Sequence, residues 1–308
     1  MVVCRTMFTA LVASLLACGS EVSYNGHEPV PVLPPDAAPP LEGCTEPLLV
    51  PRGPSWVGAM EWHGGKLVPK ACDAMLFPSS PGFRVTAPDF FLDTDEVTNA
   101  CYAHCVDAGT CVPPKPLTRE APAWDDDARR QYPAQLLDRA MAEAFCAWRG
   151  GRLPSLAELG RAEHGGAVAV MNADLTQLWR DCAGAPQPAP PPESKPEKCG
   201  EIYERIYGEP PVRDWELDRG PYGHYDLALS ALEFTMTHMF NSKDEHEALC
   251  SLSLHPDTID PKTLGSGLNM GFRPGVNLDS DVVEGENAGW IIPGDPLEGG
   301  VRCAYDPI

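Results

Sequence analysis

Between Phe240 and Arg302 the chain has one cysteine, Cys250. Base is also scarce, with 23 Lys and Arg against 44 Asp and Glu, a formal charge of −21. That balance excludes binding to nucleic acid through its phosphates, which needs Lys and Arg, and a basic patch for anionic lipid. It leaves room for divalent cations. After the N-terminal segment no long apolar run follows, so nothing else is expected to span a bilayer. No Gly-x-Ser-x-Gly, His-Glu-x-x-His or Walker loop is found, so the common hydrolase, zincin and nucleotide signatures are missing.

The N-terminus reads as an address. Arg5 precedes the apolar run Phe8–Ala13, which is followed by Leu15-Leu16-Ala17-Cys18. This is the shape of a secretory signal over residues 1–17, too short for a permanent span. The Leu-x-Ala-Cys ending resembles the lipobox of bacterial lipoproteins and makes Cys18 the expected lipidation site, anchoring the protein to the membrane. Gly19 and Ser20 in place of Asp point to the outer membrane, facing periplasm or exterior. An ordinary cleaved signal with an incidental cysteine is the competing reading.

Export changes the meaning of the cysteines. Of the twelve, Cys4 lies in the signal and Cys18 would carry lipid, which leaves ten. An even set in an oxidising compartment argues for disulfides. Cys105 and Cys111 flank a short loop that a local bridge could close. Cys182 and Cys199 bracket the Pro-rich insertion 183–198, where a bridge would remove loop disorder. Cys101, His104, Cys105 and Cys111 could instead suggest zinc, but bridges and a helix-face histidine are the better reading in an exported protein.

Residues 18–54 are rich in proline, as in Pro29-Val30-Pro31-Val32-Leu33-Pro34-Pro35, and read as an extended tether. The fold is expected to begin between Cys44 and Trp56, giving a domain over 55–308. Thr98 is placed to cap a helix over Asn99–Ala108, with Gly109 as its left-handed stop. A second helix is expected over Ala134–Arg149, with Leu136, Leu137, Met141, Ala144, Phe145 and Trp148 inward. A third opens on Ser155-Leu156-Ala157-Glu158, a capping box, and ends at Gly165-Gly166. Beyond Tyr203, short runs broken by Gly, Pro, Asp and Asn predict irregular strands and long loops. The pattern is that of an α+β fold.

Four blocks occur in order: Phe90–Asn99 leading to Tyr102; Phe145–Ser155 leading to Glu158; Pro221–Thr235; and Gly299–Pro307 around Cys303. Together they resemble the formylglycine-generating enzyme (sulfatase-modifying factor) family, from Phe90 to Pro307. The resemblance implies one compact, C-type-lectin-like domain with much irregular structure, and a bridge between Cys146 and Cys303. It also implies an oxidase that holds copper(I) between two thiolates shortly before the closing motif. Soft copper(I) needs both sulfurs, and Cys250 supplies at most one, so copper and this oxidation are not expected.

The resemblance further implies a calcium site formed by the side chains of Asp226 and Glu233 and the carbonyls of Leu229 and Ala231. Hard calcium takes such oxygens, although Leu229 stands where the family has glycine. The bland alternative is that Asp226 caps a turn and Glu233 pairs with an arginine. His238, Glu245, His246 and His255 carry the ligand types of a two-histidine, one-carboxylate iron site, with a polar loop as the alternative. Asp125-Asp126-Asp127 and the acids 279–286 read as solvated charge.

The expected function is a non-catalytic binding or interaction module at the cell envelope. The loops 249–296 would be its variable surface, with Trp290 suited to stacking on a sugar or filling a partner pocket. A protein or glycan partner is implied, and no nucleic acid. A diverged metal-dependent oxidase and a purely structural envelope lipoprotein are the alternatives.

Overall fold

The computed structural model describes residues 31–57, 60–63, 66–69, 83–114, 124–136, 138–166, 211–213, 219–227, 233–236, 271–272 and 299–308. Residues from Pro31 to Ile308 form one compact unit. Its architecture mixes helix and strand. The strands are β1 (Pro47–Val50), β2 (Gly53–Val57), β3 (Met60–His63), β4 (Lys66–Pro69), β5 (Phe83–Ala87), β6 (Phe90–Asp93), β7 (Glu233–Phe234), β8 (Gly271–Phe272) and β9 (Ala304–Tyr305). The helices are α1 (Asn99–Asp107), α2 (Arg139–Trp148) and α3 (Leu156–His164), with a 3-10 turn at Asp127–Arg129.

The central sheet has the order β1-β6-β9 and is antiparallel. β6 carries Phe90-Phe91-Leu92-Asp93, and the two-residue period of a strand sends alternate residues to opposite faces. Phe90 and Leu92 are buried with Val50, Leu159, Ala162 and Leu227. Phe91 packs on the other cluster, where Tyr102, Leu136, Phe145, Cys146 and Cys303 are buried. The sheet therefore separates two apolar cores, and Asp93, buried, closes its middle strand β6. Three further antiparallel pairs are β2–β5, β3–β4 and β7–β8.

The proline-rich segment 31–54, expected as tether, belongs instead to the domain. Ala37 is buried, Ala38 N donates to Arg149 O at 2.7 Å, and Cys44 is bonded to Cys101. Gly43 has φ +75°, and a Cβ there would lie 2.6 Å from Ala100 Cβ, so glycine is required. The physical reason lies in hydrogen bonding. A proline-rich strand offers carbonyls but few N–H groups, so it cannot close its own ladder. Two arginines supply the donors: Arg149 reaches Pro39 O at 2.8 Å and Thr45 O at 3.2 Å, and Arg161 reaches Pro51 O at 3.0 Å.

Helix α1 starts where its cap places it, with Thr98 accepting from Cys101 N at 3.1 Å and Gly109 at φ +72°. Helix α3 has both halves of the Ser155/Glu158 capping box and ends at Gly165, φ +64°. Helix α2 begins five residues later than periodicity suggested. Ala134 N donates to Val97 O and Leu136 N to Gly299 O, each at 2.8–2.9 Å, so this stretch is held extended. Asp138 then caps the helix by accepting from Met141 N.

The described cysteines form three bridges: Cys44–Cys101, Cys105–Cys111 and Cys146–Cys303. The last joins α2 to the segment entering β9 across 157 residues. Closing so long a loop restricts the unfolded chain strongly. The Cys146→Ala/Cys303→Ala variant is expected to lose about 2–5 kcal/mol of unfolding free energy. Guanidinium denaturation under non-reducing conditions checks this, and an unchanged midpoint would show that the bridge is mechanically idle.

Candidate functional site

The segment 299–306 runs through the middle of the molecule and brings Arg302 to a fully buried position, 0% exposed. Its guanidinium meets five oxygens. Nε donates to Glu233 Oε1 at 2.8 Å, Nη1 to Asp93 O at 3.2 Å and Thr94 O at 2.9 Å, and Nη2 to Tyr225 O at 2.8 Å and Asp226 O at 3.3 Å. A guanidinium carries five N–H donors, so the cage matches its capacity. Removing an arginine from water costs several kcal/mol, while each charge-assisted bond returns about 1.5–3 kcal/mol. Full satisfaction is therefore what allows the charge to be buried. Burial works against the Arg302 charge, but Glu233, Glu96 and Asp95 outweigh it and raise its pKa. Burial raises the Glu233 carboxyl, and Arg302 draws it back.

Asp93 lies beside the cage. It accepts from Cys303 N at 3.0 Å and from Tyr305 Oη at 3.0 Å, with Arg149 Nη2 at 3.7 Å. Burial dominates, and its pKa rises to about 6 despite Arg149 and these donors. His224, fully buried with Nε2 at 3.2 Å from Leu92 O, is pushed down to about 3 by burial and by Arg302. Toward the surface, Arg213 Nε bonds both oxygens of Asp95 at 2.7 Å, and Arg213 N donates to Asp226 Oδ2 at 2.6 Å. Arg213 and Asp226 both have left-handed backbones, φ +59° and +56°, an uncommon pair for non-glycine residues. Arg213 and Arg219 flank the Tyr225 ring at 5.6 and 5.2 Å.

The most recognisable sequence block is structural. Arg152 holds Glu158 with both terminal nitrogens, at 2.6 and 2.9 Å, and reaches Asp306 at 2.7 Å. Glu158 also accepts from Ser155 N. The block thus clamps the start of α3 to the residue after β9. A Cβ on Gly151 would fall 2.6 Å from Ala304 O, which explains the glycine before Arg152.

Of the expected site residues, Cys18, Leu229, Ala231, Trp290, Cys182 and Cys199 lie outside the described residues, as do Cys250 and His238, Glu245, His246 and His255. The zinc grouping is not formed, because Cys101, Cys105 and Cys111 are spent in bridges and His104 Nε2 sits 3.0 Å from Glu42 O. Among the described residues no group of three or more His, Cys, Asp or Glu is arranged to hold a metal ion. Asp226 and Glu233 are brought together, but around a guanidinium. Glu233 is its carboxylate partner, and the Asp226 carbonyl faces it. Arg302 and Asp93 were missed by reading the sequence for cysteines and acids. The available signal was one arginine inside the otherwise apolar and small run Gly299-Gly300-Val301-Arg302-Cys303-Ala304.

The two displaced pKa values give opposite pH dependences. The Asp93 pKa is raised on folding, so its stabilisation is full below about 3.8 and is lost as pH rises through about 6. The His224 pKa is depressed, so its contribution is present above 6.5 and is lost as pH falls toward about 3. On acidification from pH 6 to 4 the two oppose each other. Asp93→Asn should therefore lose stability more steeply over that interval than the wild type, and His224→Gln less steeply. Melting temperatures recorded across the interval check both slopes, and parallel curves would refute the assignment.

Residues 36–193 match the family described as the sulfatase-modifying factor enzyme 1-like domain. Among solved structures, PvdO from Pseudomonas aeruginosa aligns with 91% of this chain and 100% of its own, at 17% identity and a TM-score of 0.48. No curated protein matches the chain. With the matched region covering half of its residues, this chain belongs to the sulfatase-modifying factor enzyme 1-like family.

Proposed function

We propose that the protein is an exported, lipid-anchored member of this family whose domain acts as a non-catalytic binding module at the cell envelope. One observation carries the reading. The oxidation implied by the family resemblance needs two soft thiolates near the closing motif, and Cys250 is the single cysteine between Phe240 and Arg302. Cys303 cannot stand in for the second, because it is bonded to Cys146. A scaffold alone does not supply chemistry.

Bridges at Cys44–Cys101, Cys105–Cys111 and Cys146–Cys303 suit an oxidising compartment, which supports export. Lipid at Cys18 then anchors the chain to the outer membrane, with residues 19–30 leading to the domain. The segment 249–296, with Trp290, is the surface proposed for a protein or glycan partner, and the sugar class follows only by analogy with lectin-like folds.

The test uses the full-length protein. Copper(I) is offered under anaerobic competition with a chromogenic chelator, and oxygen uptake is followed with cysteine-containing peptides. The expected results are no stoichiometric copper and no oxygen uptake above buffer. One copper per chain, lost in Cys250→Ala, would overturn the non-catalytic reading and favour a diverged oxidase. In cells, Cys18→Ser is expected to move the protein from the membrane to the soluble fraction. Unchanged partition would overturn the anchor.

A further inference from the structure

Base is scarce in this chain, yet two exposed arginines meet at one half-buried ring. The Arg213 and Arg219 guanidinium carbons lie 5.6 and 5.2 Å from the Tyr225 ring centroid, both within cation–π range. Arg213 has a left-handed backbone, φ +59°, where glycine would be free of strain. The position therefore holds an arginine against its own backbone preference, a pattern that gathers where a side chain has a task. Its Nε donates to both oxygens of the buried Asp95 at 2.7 Å, which fixes the direction of the fork. Among the described residues neither Nη1 nor Nη2 meets an acceptor, and 51% of the side chain is exposed.

Main chain forms a step beside this ring. Arg219 and Tyr225 pair across a tight turn, in which Gly223 N donates to Gly220 O at 3.0 Å and Gly220 N to His224 O at 2.7 Å. Gly223 has φ +96°, and a Cβ there would stand 3.3 Å from Leu48 Cδ1 and 3.6 Å from Arg219 Nη2. A step without a side chain is thus left between Leu48 and the Arg219 guanidinium.

We propose that Arg213, Arg219 and Tyr225 form a binding site for an acidic saccharide, a sugar ring bearing a carboxylate. The proposal rests on the reading of the domain as a binding module and names a ligand class for it. A planar fork with two outward nitrogens matches a carboxylate bidentately. A carboxylate brings one negative charge where a phosphate monoester brings about two, and a chain of formal charge −21 repels it less. The Gly223 step beside Leu48 admits the face of a ring. An extended peptide would instead need unpaired N–H groups along a strand edge. Here the main-chain donors of Arg213, Gly220, Gly223 and Tyr225 are all engaged inside the domain, so recognition falls to side chains.

Calorimetry on the full-length protein tests this with a galacturonate tetrasaccharide, its methyl-esterified form and a glutamate tetrapeptide, each at low and high salt. The acidic saccharide should bind, and more weakly as salt screens the arginines. The ester, which lacks the charge, and the peptide should each bind at least about tenfold more weakly. Arg213→Gly suits the left-handed backbone while removing the fork, and Arg219→Gln removes the second cation but leaves the Arg213–Asp95 pair in place. Each should weaken binding about tenfold or more. Melting temperatures report folding separately, and Arg219→Gln decides should Arg213→Gly fail to fold. Equal affinity for the ester, or affinity unchanged in either folded variant, would overturn the site. Tighter binding of the peptide would overturn the saccharide assignment. Absence of binding at millimolar saccharide would overturn the proposal while leaving the non-catalytic reading to the copper and oxygen measurements.

Discussion

Five hydrogen bonds from one buried guanidinium tie together four short parts of the chain that otherwise meet through a few main-chain bonds. Arg302 contacts the end of β6 at Asp93 and Thr94, the turn at Tyr225 and Asp226, and the start of β7 at Glu233. These strands are only two to five residues long, too short for a ladder to fix their mutual position. The neighbouring Cys303 adds a covalent link to α2 and a backbone bond to the Asp93 carboxylate. Position 302 therefore links the end of β6, the 225–226 turn and the start of β7 through one side chain.

The same device recurs, and it follows from the small amount of regular structure. Every buried carbonyl needs a donor, and a chain that is neither helix nor sheet runs short of N–H groups aimed correctly. Arg149 serves Pro39 and Thr45, and Arg161 serves Pro51, Pro54, Arg52 and Gly165. Both are almost fully buried. In a chain with 23 basic residues against 44 acidic ones, several of the scarce arginines are thus committed to the interior. Interior arginines contribute nothing to a basic surface.

Local chemistry was legible where it is written in adjacent residues. Thr98 and Ser155 as caps, Gly109 and Gly165 as stops and the short Cys105–Cys111 loop each depend on contacts within a few positions. The Cys146–Cys303 pairing came from family likeness rather than from spacing. The start of α2 was misjudged because Leu136 fits a helical stripe equally well, and only Gly299, 163 positions away, makes it a bridge residue. The segment 31–54 was misjudged for a related reason. Its composition describes its own conformation, while its burial depends on Arg149 and Arg161 more than a hundred residues later. At the candidate site, reading carboxylates as metal ligands found Glu233 and Asp226. It could not show that Arg302, some seventy positions on, pairs with the Glu233 carboxylate and takes the Asp226 carbonyl.

This separation of scaffold from chemistry has a physical basis. None of the contacts that hold the described core involves a free thiol: its cysteines are oxidised, its buried arginines face carbonyls and carboxylates, and the Arg152–Glu158–Asp306 clamp is internal. No free thiol is therefore a partner in this described network. A metal-dependent core would behave differently, because an ion that supplied folding energy could not be lost without loss of the fold. The described core has Arg302 as its buried cation, held by Glu233 and four main-chain carbonyls.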